Sequence, residues 1–308
     1  MIDWLLEGDP VIQYMTYKEL LEDKTKLEEI QNVMLGEGWV KEYLSKRNEH
    51  GHWGNRFYQP KWICSHYTLL DLCLFNAPVT PEIMETINKI ADENIAPDGG
   101  VNPHTELQKS DVCINGMFLN YACYFGIDES KLHSIVDFVI SQKMNDGGFN
   151  CRLNRSGAKH SSVHTTIAML EGIERYRKHG YSYRLDELVD IQRSSEEFLL
   201  VHHLFKSDKT GEVINKNMTV FTYPWRWKYN VLRAMVYFRW ADRPYDSRMD
   251  EALELIESKS KKGKWPVRAK HPGQVHLVLE PARSMSRMNT LLALSVLNTY
   301  KKKPTTVG

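Results

Sequence analysis

One turn comes back along this chain at a nearly fixed interval, and that recurrence limits the fold more than any other feature. Asp98-Gly99-Gly100-Val101-Asn102 is followed by Ser110-Asp111-Val112-Cys113, which opens an apolar helical pattern. Asp146-Gly147-Gly148-Phe149-Asn150 is followed in the same way by Ser161-Ser162-Val163-His164. Looser versions stand at Gly51-His52-Trp53, Gly211-Glu212-Val213 and Gly263-Lys264-Trp265. The apolar member falls at 53, 101 and 149, two intervals of 48 residues, and then at 213 and 265 after intervals of 64 and 52. A period this long fits a helical hairpin as the repeating unit.

After each turn the spacing predicts a helix with few charges: Trp62 to Phe75, Asp111 to Phe125, Ser161 to Tyr176, Trp225 to Trp240 and Ser284 to Tyr300. Between them lie amphipathic patterns with one charged face, Pro81 to Asn94, Glu129 to Gln142, Leu185 to Phe205 and Asp246 to Lys259. The first set reads as an inner layer buried on most sides, the second as an outer layer with one wet face. A sixth inner helix, Asp9 to Leu21, and a charged one from Leu27 to Leu35 precede the first turn. With 42% apolar residues among 308, the chain can bury a large core. The fold expected is all-α, an (α/α)6 toroid of helical hairpins forming a single domain over 1–308. Residues 1–50 form a repeat without a Gly turn, 51–300 five Gly-turn repeats, and 301–308 a charged tail around Lys301, Lys302 and Lys303. An open solenoid is the rival, and it would need polar capping repeats.

A net charge of +1 gives no reason to expect nucleic acid as the main partner. No apolar run reaches the roughly 18 residues of a membrane span, and the start lacks the regions of a signal peptide. A soluble, cytoplasmic protein is therefore expected. Five cysteines, mostly inside apolar helical patterns, read as reduced thiols, with Cys73 and Cys123 in the core and Cys151 a free thiol in a turn.

If neighbouring inner helices share one end, their first turns meet at one mouth. Cys64, Cys113 and His164 hold matching positions on three successive inner helices, and Asp111 and Cys113 share the phase of His164 on adjacent repeats. Thiolate, imidazole and carboxylate are the donors Zn²⁺ takes, with one position left open at a catalytic centre. Against this, Asp111 also stands where a carboxylate caps a helix N-terminus.

The stretch from Lys131 to Tyr176 resembles the protein prenyltransferase β-subunits of the terpenoid cyclase and prenyltransferase superfamily. The likeness rests on Asp146-Gly147-Gly148-Phe149, the basic loop Arg152 to Lys159 and Val163-His164-Thr165, with Asp111-Val112-Cys113 one repeat earlier matching that family's Asp-x-Cys. It implies the toroid, a metal set of Asp111, Cys113 and His164, a fourth position for a substrate thiol, and an isoprenoid-like or other apolar substrate. The family's Tyr after the zinc Cys is here Ile114, and its preceding Lys is approximated by Lys109. No α-subunit is encoded in these 308 residues, and the cyclases' Asp-x-Asp-Asp string is missing from them.

Tyr223, Trp225, Arg226 and Trp227, with Arg287, add cationic and aromatic groups that suit an anionic head on an apolar ligand; pairing with Glu280 or Asp242 is the alternative. His160, His202, His203, His271 and His276 are further acid/base candidates, His160 because it lies four residues before His164. Three functions compete: a zinc-dependent prenyltransferase-like transferase, a non-catalytic ligand-binding toroid, and a carbohydrate-active (α/α) barrel. The last needs paired carboxylates at the mouth. Asp98, Asp111 and Asp146 are the ones placed for it, and Asp98 and Asp146 look like turn formers.

Overall fold

The structure, a computed structural model, describes residues 1–103, 109–267 and 272–301, without the side chain of Arg155. His271, Lys302 and Lys303 lie outside the described residues. The chain is mostly helical. In order come α1 (Ile2–Leu6), α2 (Pro10–Thr16), α3 (Leu27–Gly36), α4 (Gly38–Leu44), α5 (Ser65–Leu74), α6 (Pro81–Glu93) and α7 (Val112–Phe125). Then follow α8 (His133–Ser141), α9 (Arg152–Ser156), α10 (Val163–Lys178), α11 (Leu185–Val201), α12 (Val231–Trp240), α13 (Asp250–Ser258) and α14 (Arg287–Tyr300). A two-residue ladder pairs β1 (Trp265–Pro266) with β2 (Met285–Ser286), which periodicity did not announce. No helix among the described residues is long and apolar enough to cross a membrane.

Burial divides the helices as the charge pattern requires. Almost every residue of α7 and most of α5 and α10 are buried, whereas α6 buries Ile83, Ile87, Ile90 and Ala91 along one stripe. The weakly charged helices touch in succession: α5 packs on α7, α7 on α10, α10 on α12, α12 on α14, and α14 on α2. The amphipathic helices lie outside them, α6 and α8 on α7, α11 on α10, and α13 on α12 and α14.

Four of the interhelical Gly turns are fixed by one repeated contact. The backbone N–H of its apolar residue donates to a polar side chain on the inner helix that follows: Trp53 to Ser65 (3.1 Å), Val101 to Asn115 (2.7 Å), Phe149 to Thr166 (3.0 Å) and Trp265 to Thr290 (3.0 Å). The indoles of Trp53 and Trp265 also reach back, donating to the carbonyls of Tyr43 and Ile256 at 2.7 Å. In the two strict repeats the Asp of the turn accepts from the Ser before the helix. Asp98 accepts from the Ser110 N–H and hydroxyl at 2.5 and 2.7 Å, and Asp146 from the same two groups of Ser161. Both aspartates are thus turn formers. Gly147 has φ +98°, a region that L side chains rarely enter.

The Gly211 turn departs from this scheme, for Val213 and Ile214 are 39% and 45% exposed. Two helices begin later than their apolar patterns imply. Trp62 has φ +79° and precedes α5, and Trp225 lies in a loop that ends at Asn230, whose side chain caps α12 by accepting from the Arg233 N–H at 2.9 Å. α10 begins at Val163, which leaves His160 outside it and exposed.

α7 and α10 pack backbone against backbone, so that a methyl group on Gly172 would stand 2.5 Å from the Gly116 carbonyl oxygen. Backbone cannot yield as a side chain can, so Gly172→Ala should cost roughly 1–3 kcal/mol or more by overpacking. Urea unfolding measures it, and an unchanged midpoint would contradict this backbone contact.

Candidate active site

The loop Tyr223-Pro224-Trp225-Arg226-Trp227-Lys228-Tyr229 is shaped by a buried arginine. Arg233, 1% exposed in the first turn of α12, makes a fork to Glu171 of α10 at 2.7 and 2.6 Å. Its remaining terminal nitrogen, Nη1, donates to the carbonyls of Arg226 and Lys228 at 2.9 and 2.8 Å. Both carbonyls are thereby held toward the core, and the Arg226 side chain projects to Asp71 in the middle of α5.

Arg226 is 2% exposed and only partly satisfied. Its Nη2 lies 3.3 Å from Asp71 Oδ2, and its guanidinium stacks 4.8 Å from the Trp62 ring. Among the described residues the Arg226 Nε and Nη1 and the Asp71 Oδ1 have no hydrogen-bond partner. Tyr43 donates its hydroxyl proton to Asp71 Oδ2 at 3.2 Å. Burial pushes the Asp71 carboxyl up, against the lowering effect of Arg226 and Tyr43. The Tyr43 hydroxyl is raised well above its ordinary range by burial and by the Asp71 charge, so it keeps its proton at neutral pH.

Arg226, Tyr43 and Tyr223 line a cavity of about 110 Å³ whose other wall comes from Gly273 to Glu280 and from Ser286 and Asn289. His276 stands beside it, its Nε2 2.8 Å from the Thr68 hydroxyl and its ring 5.1 Å from that of Tyr43. Burial, with help from Arg226 and Lys46, lowers the imidazole to about 4. A protonated phenol and a guanidinium therefore share one concavity, with a neutral imidazole packed against the phenol ring.

The other groups read from the sequence are spread more widely. Trp225 is buried against a second cavity of about 90 Å³, which Tyr223 also borders. Trp227 faces His164, ring centres 5.5 Å apart, and the Lys61 ammonium lies 5.5 Å from its ring. Arg287 belongs elsewhere: its Nε donates to the Trp4 carbonyl at 2.8 Å and its guanidinium lies 4.8 Å from the Trp4 ring. Glu280 meets Arg287 through the backbone N–H at 2.6 Å, and Asp242 pairs with Lys178. His202 and His203 face Asp208 and Glu251.

Asp111 stands at the N-cap of α7 without a side-chain capping bond. The Cys113 N–H donates to Cys151 Sγ at 2.9 Å, and that contact, with a hydrogen bond between the two thiols, lowers the Cys151 thiol despite its burial. Cys64 is buried with its thiol pushed up to about 11. His164 accepts the Tyr229 N–H on Nδ1 at 2.9 Å, and burial with the Arg233 and Lys228 charges lowers it to about 4. Among the described residues, no group of three or more His, Cys, Asp and Glu side chains is arranged to hold a metal ion.

Tyr43, Thr68 and Asp71 escaped the sequence reading. Asp71 did leave a trace, being the one carboxylate inside the apolar run Leu69 to Cys73.

No family model and no curated protein matches the sequence. A solved structure of a polysaccharide lyase is similar to the chain, with a TM-score of 0.52 at 13% identity over 94% of this chain and 89% of that one. At that identity the likeness is one of fold.

Burial depresses several histidines and so sets a pH dependence. His66 (about 3) and His164, His179 and His276 (each about 4) have an ordinary value of 6.5, and His52 is lowered as well, so between these limits the unfolded chain binds protons that the folded chain refuses. Stability should be fully present above about pH 6.5 and fall as pH drops toward 4. Replacing His164 and His276 together by Gln should make that acid limb of the unfolding midpoint shallower, and an unaltered limb would exclude them as contributors.

Proposed function

We propose that the chain is an (α/α)6 toroid that acts on a carboxylate-bearing carbohydrate and cleaves it by β-elimination at the Arg226 cavity. The succession of helix contacts that runs from α5 to α14 and back to α2 supports the toroid. The likeness to a polysaccharide lyase supports the substrate class by analogy of fold alone. The observation that carries the reading is Arg226, a buried guanidinium on a cavity wall with two nitrogens unpartnered among the described residues, beside a neutral imidazole and a protonated phenol.

The chemistry follows from those groups. A sugar carboxylate pairs with the free donors of Arg226, which acidifies the neighbouring C–H and stabilises the charge that develops on the carboxylate. His276, neutral above its pKa, takes that proton. The C–H electron pair becomes the second bond of a C=C, and the C–O bond to the leaving sugar breaks. Tyr43 supplies the proton that the leaving oxygen needs. Hydrolysis would instead require two free carboxylates. Asp71 is engaged by Arg226 and Tyr43, and Glu280 accepts from Ser286 and from the backbone at the start of α14.

Incubation with polyuronates should give products with the ultraviolet absorbance of an alkene conjugated to a carboxylate, and neutral glucans should give none. Arg226→Gln should lower kcat/KM about a hundredfold or more, and His276→Gln should do likewise. Saturable binding of polyuronates without alkene would leave the non-catalytic ligand-binding toroid; neither binding nor alkene would sink the carbohydrate reading.

A second reading keeps the prenyltransferase likeness: a zinc-dependent transferase with Asp111, Cys113 and His164 as ligands and an isoprenoid-like or other apolar substrate. It rests on the sequence resemblance and on the placing of Asp111, Cys113 and His164 at the first turns of α7 and α10, which pack on each other. The donor types suit Zn²⁺, and bound zinc would activate a substrate thiol. On this reading the purified protein should hold about one zinc per chain and lose it in Cys113→Ala and His164→Ala. Equal traces in all three proteins would dismiss it.

A further inference from the structure

The second cavity, about 90 Å³, lies among the C-terminal halves of the inner helices, on the far side of Tyr223 from the Arg226 cavity. Three cations line it, Lys18, Arg175 and Arg239. They share one carboxylate, Glu19, which lies 3.8 Å from Lys18 and pairs with Arg239. The other acid of the lining, Glu171, is taken by the Arg233 fork.

Among the described residues Arg175 has no ion pair. It donates to Asn120 Oδ1 at 3.1 Å and to the Cys73 thiol, and its guanidinium is held between Tyr124 and Trp240 at 5.0 and 4.4 Å. Cations near helix C-termini are favourable in themselves, which accounts for their presence but not for a second feature of the same wall. Trp225, 4% exposed, borders this cavity, and among the described residues its indole N–H has no hydrogen-bond partner. A buried N–H without an acceptor carries a desolvation cost that a ligand can relieve.

We propose that this cavity binds a small oxyanion, of the phosphate, sulfate or carboxylate class, between Arg175, Lys18 and the Trp225 indole N–H. The space exceeds the roughly 10–15 Å³ that one water needs, and its lining offers donors where an oxyanion has acceptors. The site does not depend on the elimination reading, whose residues lie on the other side of Tyr223. Lys18 agrees with it, since burial and the charges of Arg175 and Arg239 depress its ammonium, a load that a bound anion removes.

The test titrates the full chain with inorganic phosphate, sulfate or acetate at ionic strength held constant with chloride, reading the emission of the cavity tryptophans and the unfolding midpoint. A saturable change with at least one oxyanion, accompanied by a rise in midpoint, is expected. Arg175→Gln should weaken that binding about tenfold, the loss of one charge-assisted hydrogen bond. Should that variant not fold, Lys18→Gln serves with the same readout. Responses that do not saturate, or affinities equal within about twofold in wild type and variant, would overturn the site.

Discussion

The structure depends on a backbone amide, in four of its interhelical turns, that gives its hydrogen to a side chain on the next inner helix. Trp53, Val101, Phe149 and Trp265 all do so, and all four are buried. A buried amide without a partner is costly, so each such contact sets how far the following helix can slide or rotate. Ser65, Asn115, Thr166 and Thr290 thereby place the first turn of α5, α7, α10 and α14. Where Trp53 and Trp265 also bond the carbonyls of Tyr43 and Ile256, the turn is tied to the helix before it as well. The phase at which Thr68 and Asp71 leave α5 is a consequence of the Trp53 to Ser65 bond.

Two buried arginines show how differently one residue type can be used. Arg233 spends its donors inside the protein, on Glu171 and two carbonyls, and so fixes the loop that follows Tyr223. Arg226 holds Asp71 through a single nitrogen, and two others have no partner among the described residues. Burying a guanidinium is costly unless its donors are met, so the native state tolerates at Arg226 what it avoids at Arg233.

The repeats were legible because a 48-residue period survives in composition, and the buried turns at Trp53, Val101, Phe149 and Trp265 fall where it puts them. The turn at Gly211 shares the spelling but not the burial. Helix starts were less legible. Trp62 and Trp225 look helical by apolarity, yet φ at Trp62 and Arg226 is positive and Asn230 delays α12. The Arg226 cavity was half visible: Arg226 and Tyr223 stood out, while Asp71 is 155 positions from Arg226 and met it only through the fold. His164 occupies the first turn of α10 as its spacing required. What became of its Nδ1 was decided by Tyr229, 65 positions away. Cys151, read as an idle thiol, accepts the Cys113 N–H because α9 brings it to the start of α7.

Tyr223 borders both cavities, and its hydroxyl donates to the Leu74 carbonyl at 3.5 Å. A ligand seated in either cavity would therefore touch the same ring, and a shift of that ring made to admit one ligand would reshape the wall that meets the other.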